Sequence, residues 1–401
     1  MSEALELAAL VSPLEIKEFL SNTFGRAPYL ARGTEGRFNG LVSWSTLNDI
    51  LSHHRLEWPR LRLADGGEPV RVEEYSEEVT RRNGPSYRRL LPARLLEVVR
   101  KGATIALDNV DQLHAPLDEL AFNLERQLGA TVFINLYASW GPQFGFDVHW
   151  DDHDVIVLQV SGQKRWRIWE PTREWPLYRD IDSAPMPDRE PVMELVLEEG
   201  DVLHVPRGWW HIAKADAGPS LHITVGIDRP TVMDLVNWLV DGLRADVEFR
   251  KPLLRDSPRE NGAYLRHIIE ESIRQRLDRG DFIQEYLQFV DGRSRAHSCF
   301  SLPYDVGDGP LAPFRDEAAI TVLFPRATLE QREDGSAVLG ANGRRWSFAP
   351  RAMPVLRHLL SRRRQLVSEL VLQCQGSISP SDVKSLLAVL VEGGVIAVAS
   401  V

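Results

Sequence analysis

Two histidines and one aspartate have the types and spacing of a metal centre. His149 and Asp151 lie two residues apart in the segment GFDVHWDDHDVIV, and His211 follows later in the segment PRGWWH. Side chains two apart on a strand project from the same face, so the spacing predicts that His149 and Asp151 point together. Two imidazoles and one carboxylate leave coordination positions open, as in non-haem iron(II) oxygenases. These three residues are therefore our candidate iron(II) ligands.

A lysine downstream is the candidate anchor for a co-substrate. In the segment KRWRIW, Lys164 alternates with Trp166 and Ile168, so the pattern predicts that Lys164 faces the apolar interior. A buried ammonium group needs an anionic partner, because an unpaired charge in the interior is costly. The distal carboxylate of 2-oxoglutarate would provide that partner. An internal Asp or Glu is the alternative.

Polar residues on other segments are candidates to line the same pocket. Asn135 and Tyr137, two apart in INLYAS, are spaced to contact the same carboxylate or the metal, and a hydrogen-bonded core pair is the alternative. His222 in SLHITVGI lies opposite in parity to its apolar neighbours and is expected to face the site. His153 shares the parity of the proposed ligands just before it, so spacing leaves it open as a ligand. His204, inside an apolar strand, is expected to be structural.

The elements that position these residues are short apolar strands. They run from Ala130 to about Ile227, separated by turns, and read TVFINLYA, DVIVLQV, KRWRIW, MELVLE, DVLHVP and SLHITVGI. Evenly spaced strands of this kind are typical of a sandwich or a barrel. Residues 1–110 mix helices and short strands and are interpreted as a lead-in to this β core.

A change of period after Pro230 predicts a helical unit. Apolar residues recur with helical spacing from Val232 to Leu243, and Thr231 is placed as the N-cap. Two further helices are predicted in the segments that begin near Tyr264 and Phe282. This all-helical unit extends to roughly residue 300.

The last hundred residues return to a mixed pattern. Strands around 337–339 and 345–348 flank Asn342-Gly343, a dipeptide that favours a tight hairpin turn. Helices are predicted near 353–364, 366–374 and 380–392, with Ser379 as an N-cap, and a final strand reads VIAVA. Helices together with a terminal hairpin predict a winged-helix unit.

Composition limits the class of protein and its partners. The chain has 401 residues, a formal net charge of −10 and only two cysteines, Cys299 and Cys374, far apart. No apolar run approaches the roughly 18–20 residues that span a bilayer, and the N-terminus lacks a basic leader. We therefore expect a cytoplasmic protein without disulfides or a membrane anchor. The acidic charge disfavours nucleic acid as a partner.

The motifs together resemble a known family. The stretch NLYASWGPQFGFDVHWDDHDVIVLQVSGQKRWRIWEP, followed by GDVLHVPRGWWHIA and SLHITVGI, is similar to the cupin-like JmjC oxygenases. Within them it resembles the ribosomal oxygenases, which hydroxylate ribosomal-protein side chains. FGRAPYLARG near the N-terminus resembles the opening segment of that family.

The resemblance implies a fold and a set of roles. The fold would be mainly β, with a double-stranded β-helix catalytic core of the cupin/JmjC type, a helical dimerisation region and a C-terminal winged-helix domain. The expected boundaries are 1–230 (barrel core about 130–230), 231–303 and 304–401. By position, His149, Asp151 and His211 match the iron ligands and Lys164 matches the basic residue for 2-oxoglutarate. Asn135 and Tyr137 match polar positions that line that pocket.

The implied activity and assembly follow from the same resemblance. The chain is expected to use Fe(II), 2-oxoglutarate and O2 to hydroxylate a side chain of a protein or peptide, with ribosomal proteins as candidates, and to release succinate and CO2. A homodimer is expected, with Leu235, Leu239 and Leu243 as candidates for its seam. Other hypotheses remain open at this point. They are the same chemistry on a peptide natural product or small molecule, an inactive scaffold, and an effector-binding cupin regulator whose winged helix binds DNA.

Overall fold

A computed structural model describes residues 6–141, 144–180, 185–216, 218–252, 258–278, 280–302 and 314–399. The chain divides into two compact units, Met1–Arg229 and Pro230–Val401. The catalytic domain expected over residues 1–230 stays a prediction. The boundary predicted between 303 and 304 lies outside the described residues.

The first unit combines five short helices with thirteen strands in its described residues. The helices are α1 (Leu7–Val11), α2 (Ile16–Glu18), α3 (Trp44–His53), α4 (Pro92–Arg100) and α5 (Ala115–Leu128). The strands are β1 (Tyr29–Ala31), β2 (Leu61–Asp65), β3 (Glu68–Pro69), β4 (Ser76–Val79), β5 (Tyr87–Leu90), β6 (Thr104–Leu107), β7 (Thr131–Ser139), β8 (Asp154–Ser161), β9 (Lys164–Trp169), β10 (Met193–Leu197), β11 (Val202–Val205), β12 (Trp210–Ala215) and β13 (Ser220–Asp228).

Two antiparallel sheets form the core of this unit. The larger has the order β1-β11-β8-β13-β7-β6-β2-β3, and the smaller has the order β10-β9-β12. Apolar side chains of β8 and β11, such as Val157 and Leu203, pack against Trp166 and Ile168 of the small sheet. This face-to-face packing confirms the sandwich or barrel predicted from the strand pattern. The six predicted strands are all present, and β12, which carries His211, joins them.

The other face of the large sheet is covered by helices. Ile156 and Leu158 of β8 belong to the same apolar cluster as Leu47 of α3 and Leu120 of α5. A strand buried on both faces needs a continuous apolar run, which explains the sequence DVIVLQV. On β7, Ile134 also packs on this helical side, so the alternate residues of that strand face the space between the two sheets.

The second unit contains six helices and six strands in its described residues. Its helices are α6 (Val232–Asp241), α7 (Pro258–Leu277), α8 (Phe282–Asp291), α9 (Met353–Ser361), α10 (Val367–Gln373) and α11 (Pro380–Glu392). Its strands are β14 (Ala319–Val322), β15 (Thr328–Gln331), β16 (Ala337–Ala341), β17 (Arg344–Phe348), β18 (Arg364–Leu366) and β19 (Ile396–Ala399). They form two three-stranded antiparallel sheets, β18-β14-β19 and β15-β16-β17.

Local signals in the sequence predicted several ends of these elements. Thr231 caps α6 by accepting a hydrogen bond from the Asp234 amide, and Ser379 caps α11 in the same way. Asn342 and Gly343 both have positive φ angles, 51° and 67°, as a tight hairpin turn between β16 and β17 requires. None of the described helices is long and apolar enough to cross a membrane.

The apolar stripe of α6 differs from the predicted seam. Leu243 lies beyond the end of α6 and is buried inside the second unit, so it is not available to a partner. The large apolar side chains that α6 exposes are instead Val232, Val236 and Val240, with Met233 beside them. The helical period therefore predicted the apolar stripe correctly. It did not predict which residues of the stripe are buried within the second unit.

Candidate metal centre

His149, Asp151 and His211 converge at one point of the first unit. One potential ligand atom from each residue lies within 4.8 Å of the others. His211 lies near the start of β12. His149 and Asp151 precede β8 in an extended segment that is not a strand, which corrects the strand expected there. A single antiparallel bridge between His149 and His211 holds this segment, with backbone N–H···O distances of 3.1 and 2.8 Å.

Backbone carbonyls orient both imidazoles. Nδ1 of His149 lies 2.7 Å from the Asp147 carbonyl oxygen, and Nδ1 of His211 lies 3.1 Å from the Trp209 carbonyl oxygen. A carbonyl only accepts, so each Nδ1 carries the hydrogen and each Nε2 keeps its lone pair. Metal-binding histidines are oriented in this way by a second partner. Both rings therefore present a ligand atom.

Charges around Asp151 favour its carboxylate form. Burial raises the pKa of Asp151, but the neighbouring His153, His211 and His149 lower it more strongly, so the net shift is downward. The His211 ring has a pKa lowered to about 4, first by burial and then by His149, so it is neutral near pH 7. Its Nε2 lies 3.6 Å from an Asp151 carboxylate oxygen. Two imidazoles and one carboxylate fit a divalent iron with open positions.

The three residues lie in the wall of a cavity of about 410 Å³ between the two sheets. The other candidate site residues contribute to this wall as well: Lys164, Asn135, Tyr137 and His222 line it with the triad. Its size is within the range of small-molecule sites.

Lys164 points into this cavity, as its parity predicts. Only 4% of the residue is exposed, and Nζ lies 3.3 Å from the Ser139 hydroxyl and 3.4 Å from Nδ1 of His222. Among the described residues no carboxylate forms an ion pair with it, so the alternative of an internal Asp or Glu finds no support. Burial lowers the pKa of Lys164 to about 7. The ammonium group is held next to neutral partners only.

The polar side chains of β7 and β13 form one layer of the wall. Tyr137 stacks on His222 at a ring distance of 5.0 Å, and burial raises the pKa of Tyr137 to about 12. Burial and then the charge of Lys164 hold the pKa of His222 well below its usual value. Asn135 accepts a hydrogen bond from the Asn109 amide at 3.0 Å. Tyr137 and His222 are thus both neutral near pH 7.

Other residues line the cavity without having been predicted. Arg62 on β2 is held by both carboxylate oxygens of Asp108, at 2.9 and 3.1 Å, and Thr104 on β6 contacts the Ser139 hydroxyl at 3.0 Å. Their strands enter from the lead-in segment, and no motif joins them to the later residues. His153 also lines the cavity but is not one of the three converging ligands.

Comparison with known proteins agrees with this arrangement. Residues 111–235 match the JmjC domain family, a span that includes all three converging residues. This segment of the chain is similar to a JmjC domain. A bifunctional lysine-specific demethylase and histidyl-hydroxylase NO66 from Drosophila persimilis is 30% identical over 221 residues, which is 55% of this chain and 31% of that protein. Ribosomal oxygenase 1 from Gallus gallus is 30% identical over 260 residues, 62% of this chain and 41% of that protein.

The chain also shares its fold with solved structures. The Escherichia coli ribosomal oxygenase YcfD aligns with a TM-score of 0.63 over 96% of this chain and 98% of that chain, at 17% identity. A structure of YcfD in complex with cobalt and 2-oxoglutarate aligns with a TM-score of 0.62 and the same coverage and identity. At this identity the likeness concerns the fold. The chain spans less than half the length of the two curated relatives named above.

Proposed function

We propose that the protein is an Fe(II)- and 2-oxoglutarate-dependent oxygenase that hydroxylates a side chain of a protein or peptide. One observation carries the proposal: the two histidines and the aspartate converge in the same cavity as a buried lysine without an ionic partner. The JmjC domain and the relatives named as oxygenases and hydroxylases support it. Iron and 2-oxoglutarate, when bound, supply oxidation of a C–H bond by O2 with release of succinate and CO2.

The residues of the chain have distinct parts in this proposal. His149, Asp151 and His211 would hold the iron, and their backbone bridge fixes two of them before any metal binds. Lys164 would bind the distal carboxylate of 2-oxoglutarate, replacing its two neutral contacts with a charged one. Asn135, Tyr137 and His222 would line the co-substrate pocket and keep water from the charge pair. The protein thus holds the iron and the co-substrate in position and excludes water from the cavity.

A polypeptide substrate is the class that the relatives favour. Their names include ribosomal oxygenase and histidyl-hydroxylase, so proteins of the ribosome are the first candidates to test. Purified protein should be incubated with Fe(II), 2-oxoglutarate and total ribosomal protein, and the products searched by mass spectrometry for the gain of one oxygen atom. A product that requires both additions and disappears in His211→Ala supports the proposal. Succinate formation without any oxidised polypeptide would favour a small-molecule substrate.

We also propose an organisation for the second unit. Residues 231–303 would form a helical dimerisation region and residues 304–401 a winged-helix domain. The exposed stripe of Val232, Val236 and Val240 supports a homodimer, since three amphipathic helices can bury more than the roughly 1,000 Å² of a stable interface. Light scattering decides between the 45.4 kDa monomer and twice that mass.

We further propose a cytoplasmic location, which two unpaired cysteines support.

A further inference from the structure

A second concave surface lies beside the metal centre in the first unit. It is a groove of about 500 Å³ that we call the tryptophan groove, and its main walls are Gly25, Arg26, Trp175, Arg207 and Trp209. Its residues come from the segment after α2, the loop after β9 and the turn between β11 and β12. None of them lines the cavity that holds the triad.

Backbone contacts connect this groove to the metal ligands. The amide of Gly208 donates a hydrogen bond to the Asp151 carbonyl at 2.9 Å, and the Trp209 carbonyl accepts the hydrogen bond from Nδ1 of His211. The turn that carries Arg207 and Trp209 therefore separates the groove from the ligands by a single layer of backbone. A polypeptide with one residue in the cavity would pass close to this turn.

Trp175 is held in an unfavourable conformation while it remains exposed. Its φ angle is +48°, in the left-handed region that bulky residues avoid, and 56% of the residue is exposed. The cost of such a conformation is repaid only where the surroundings impose it, and such positions cluster at functional sites. Nothing on the described surface covers the indole. Its fixed, solvent-facing position is the feature that needs an explanation.

Neighbouring residues are arranged to keep this indole in place. Gly25 has a φ of +72°, and a Cβ atom there would lie 3.2 Å from Cη2 of Trp175, closer than most such contacts, so the ring lies against the glycine backbone. A Cβ atom at Gly208 would lie 2.6 Å from Cδ of Pro176. Nε of Arg207 donates a hydrogen bond to the Pro176 carbonyl at 2.7 Å. The loop is therefore fastened from two sides.

The groove also contains two guanidinium groups that form no salt bridge in the described chain, and one of them, Arg207, helps to lower the pKa of the Asp152 carboxyl. Arg207 donates to the Pro176 carbonyl and Arg26 to the Ser21 carbonyl, and no carboxylate of the described residues forms an ion pair with either. Of the two acidic residues at the wall, Glu170 is paired with Arg189 at 2.8 Å, and Glu174 is exposed. Tryptophan and arginine are enriched among the residues that dominate the energy of protein binding.

We propose that the tryptophan groove binds the segment of the polypeptide substrate that flanks the oxidised residue. An aromatic or proline side chain of that segment packs against Trp175 and Trp209, and a carboxylate of the same segment pairs with Arg26 or Arg207. The proposal rests on the proposed function, because it assumes that a polypeptide enters the metal cavity. The groove then selects the substrate, while the cavity performs the reaction.

The kinetic test compares matched pairs of variants with total ribosomal protein as the substrate. Trp175→Ala should raise the KM for the oxidised protein roughly tenfold, as loss of a hot-spot tryptophan does, and leave 2-oxoglutarate turnover without protein unchanged. Trp58→Ala, which removes a tryptophan that is 72% exposed elsewhere on the unit, should change neither value. Arg26→Ala should raise KM in a salt-sensitive manner, and Arg82→Ala, which removes an exposed arginine from the turn between β4 and β5, should not. Equal KM values for Trp175→Ala and wild type would overturn the proposal that the tryptophan groove binds the substrate.

A crosslinking experiment tests the tryptophan groove separately from the proposed function. The photoreactive residue p-benzoylphenylalanine is introduced at position 175 or, as control, at position 58, and the crosslinked peptides are sequenced. We expect crosslinks from position 175 to fall within a few residues of the oxidised side chain. Crosslinks only to distant regions, beside a normal oxidised product, would overturn the groove alone. Absence of any oxidised polypeptide with the wild-type protein would overturn the proposed function and this inference with it.

Discussion

Replacement of Lys164 by Met is the sharpest test of the co-substrate pocket. The change removes the charge but keeps a long apolar side chain of similar reach, so the wall of the cavity stays filled. Burial alone lowers the pKa of Lys164 from 10.5 to about 7, which corresponds to about 5 kcal/mol of electrostatic free energy. A ligand carboxylate restores part of that energy, since buried charge pairs contribute about 2–5 kcal/mol. We therefore expect the affinity for 2-oxoglutarate to fall on the order of 100-fold.

The pH dependence of 2-oxoglutarate binding tests the same role of Lys164 independently. In the ligand-free protein Lys164 is half protonated near pH 7, and a bound carboxylate raises its pKa because the charged form is favoured. The affinity for 2-oxoglutarate should therefore be highest below pH 7 and should fall about tenfold per pH unit above it. The fall should stop at the pKa that Lys164 has in the complex. His222 and Tyr137, its neighbours, stay neutral across this range. Lys164→Met should abolish the slope.

The assay is calorimetric titration of 2-oxoglutarate into protein loaded with Mn(II), from pH 6 to pH 9. Lys214→Met is the matched control, because Lys214 pairs in register with the outward-facing Arg165 on the same small sheet. Thermal unfolding of each variant checks the fold, and Lys164→Met should be at least as stable as wild type, since a buried charge is removed. An unchanged affinity in Lys164→Met, or the same pH slope, would show that another group binds the carboxylate.

Three further predictions concern the metal, the assembly and the core. His211→Ala should abolish stoichiometric Fe(II) or Mn(II) binding with little change in circular dichroism, whereas His153→Ala should retain the metal; loss in both would make His153 a ligand. Val236→Glu should halve the mass measured by light scattering if α6 forms the dimer seam, and a wild-type mass of 45.4 kDa would already refute the seam. Gly226→Ala should destabilise the barrel by about 1–3 kcal/mol in denaturant unfolding, because its Cβ would lie 2.2 Å from the Phe133 ring; an unchanged midpoint would show that this ring moves freely.

Short-range patterns carried most of what the sequence predicted. The strands of the core, the caps at Thr231 and Ser379 and the Asn342-Gly343 turn depend on neighbours within a few residues, so they can be read directly. The parity of Lys164 gave its direction because a strand has a strict period of two. His149 and Asp151 point together although they lie outside any regular strand, since an extended backbone preserves that period.

Contacts between distant segments were beyond such patterns. Arg62 and Thr104 reach the cavity wall through β2 and β6, and nothing in the local sequence ties them to residues numbered above 130. Likewise, periodicity identified the stripe on α6 but not the burial of Leu243, which depends on what packs against it. The tryptophan groove is assembled from three separate segments, and its positive φ at Trp175 has no signature in the sequence.

The hydrogen-bonded bridge between His149 and His211 has a consequence for how the protein would acquire its metal. Because the two imidazoles are already aligned by backbone and carbonyl contacts, little conformational entropy would be lost when an ion binds. A ready-made nitrogen and oxygen site follows the general affinity order of divalent metals, in which copper and zinc bind more tightly than iron. The metal that is bound would then depend on which ions are available when the protein is first loaded. A protein that had bound the wrong metal would be folded, stable and inactive.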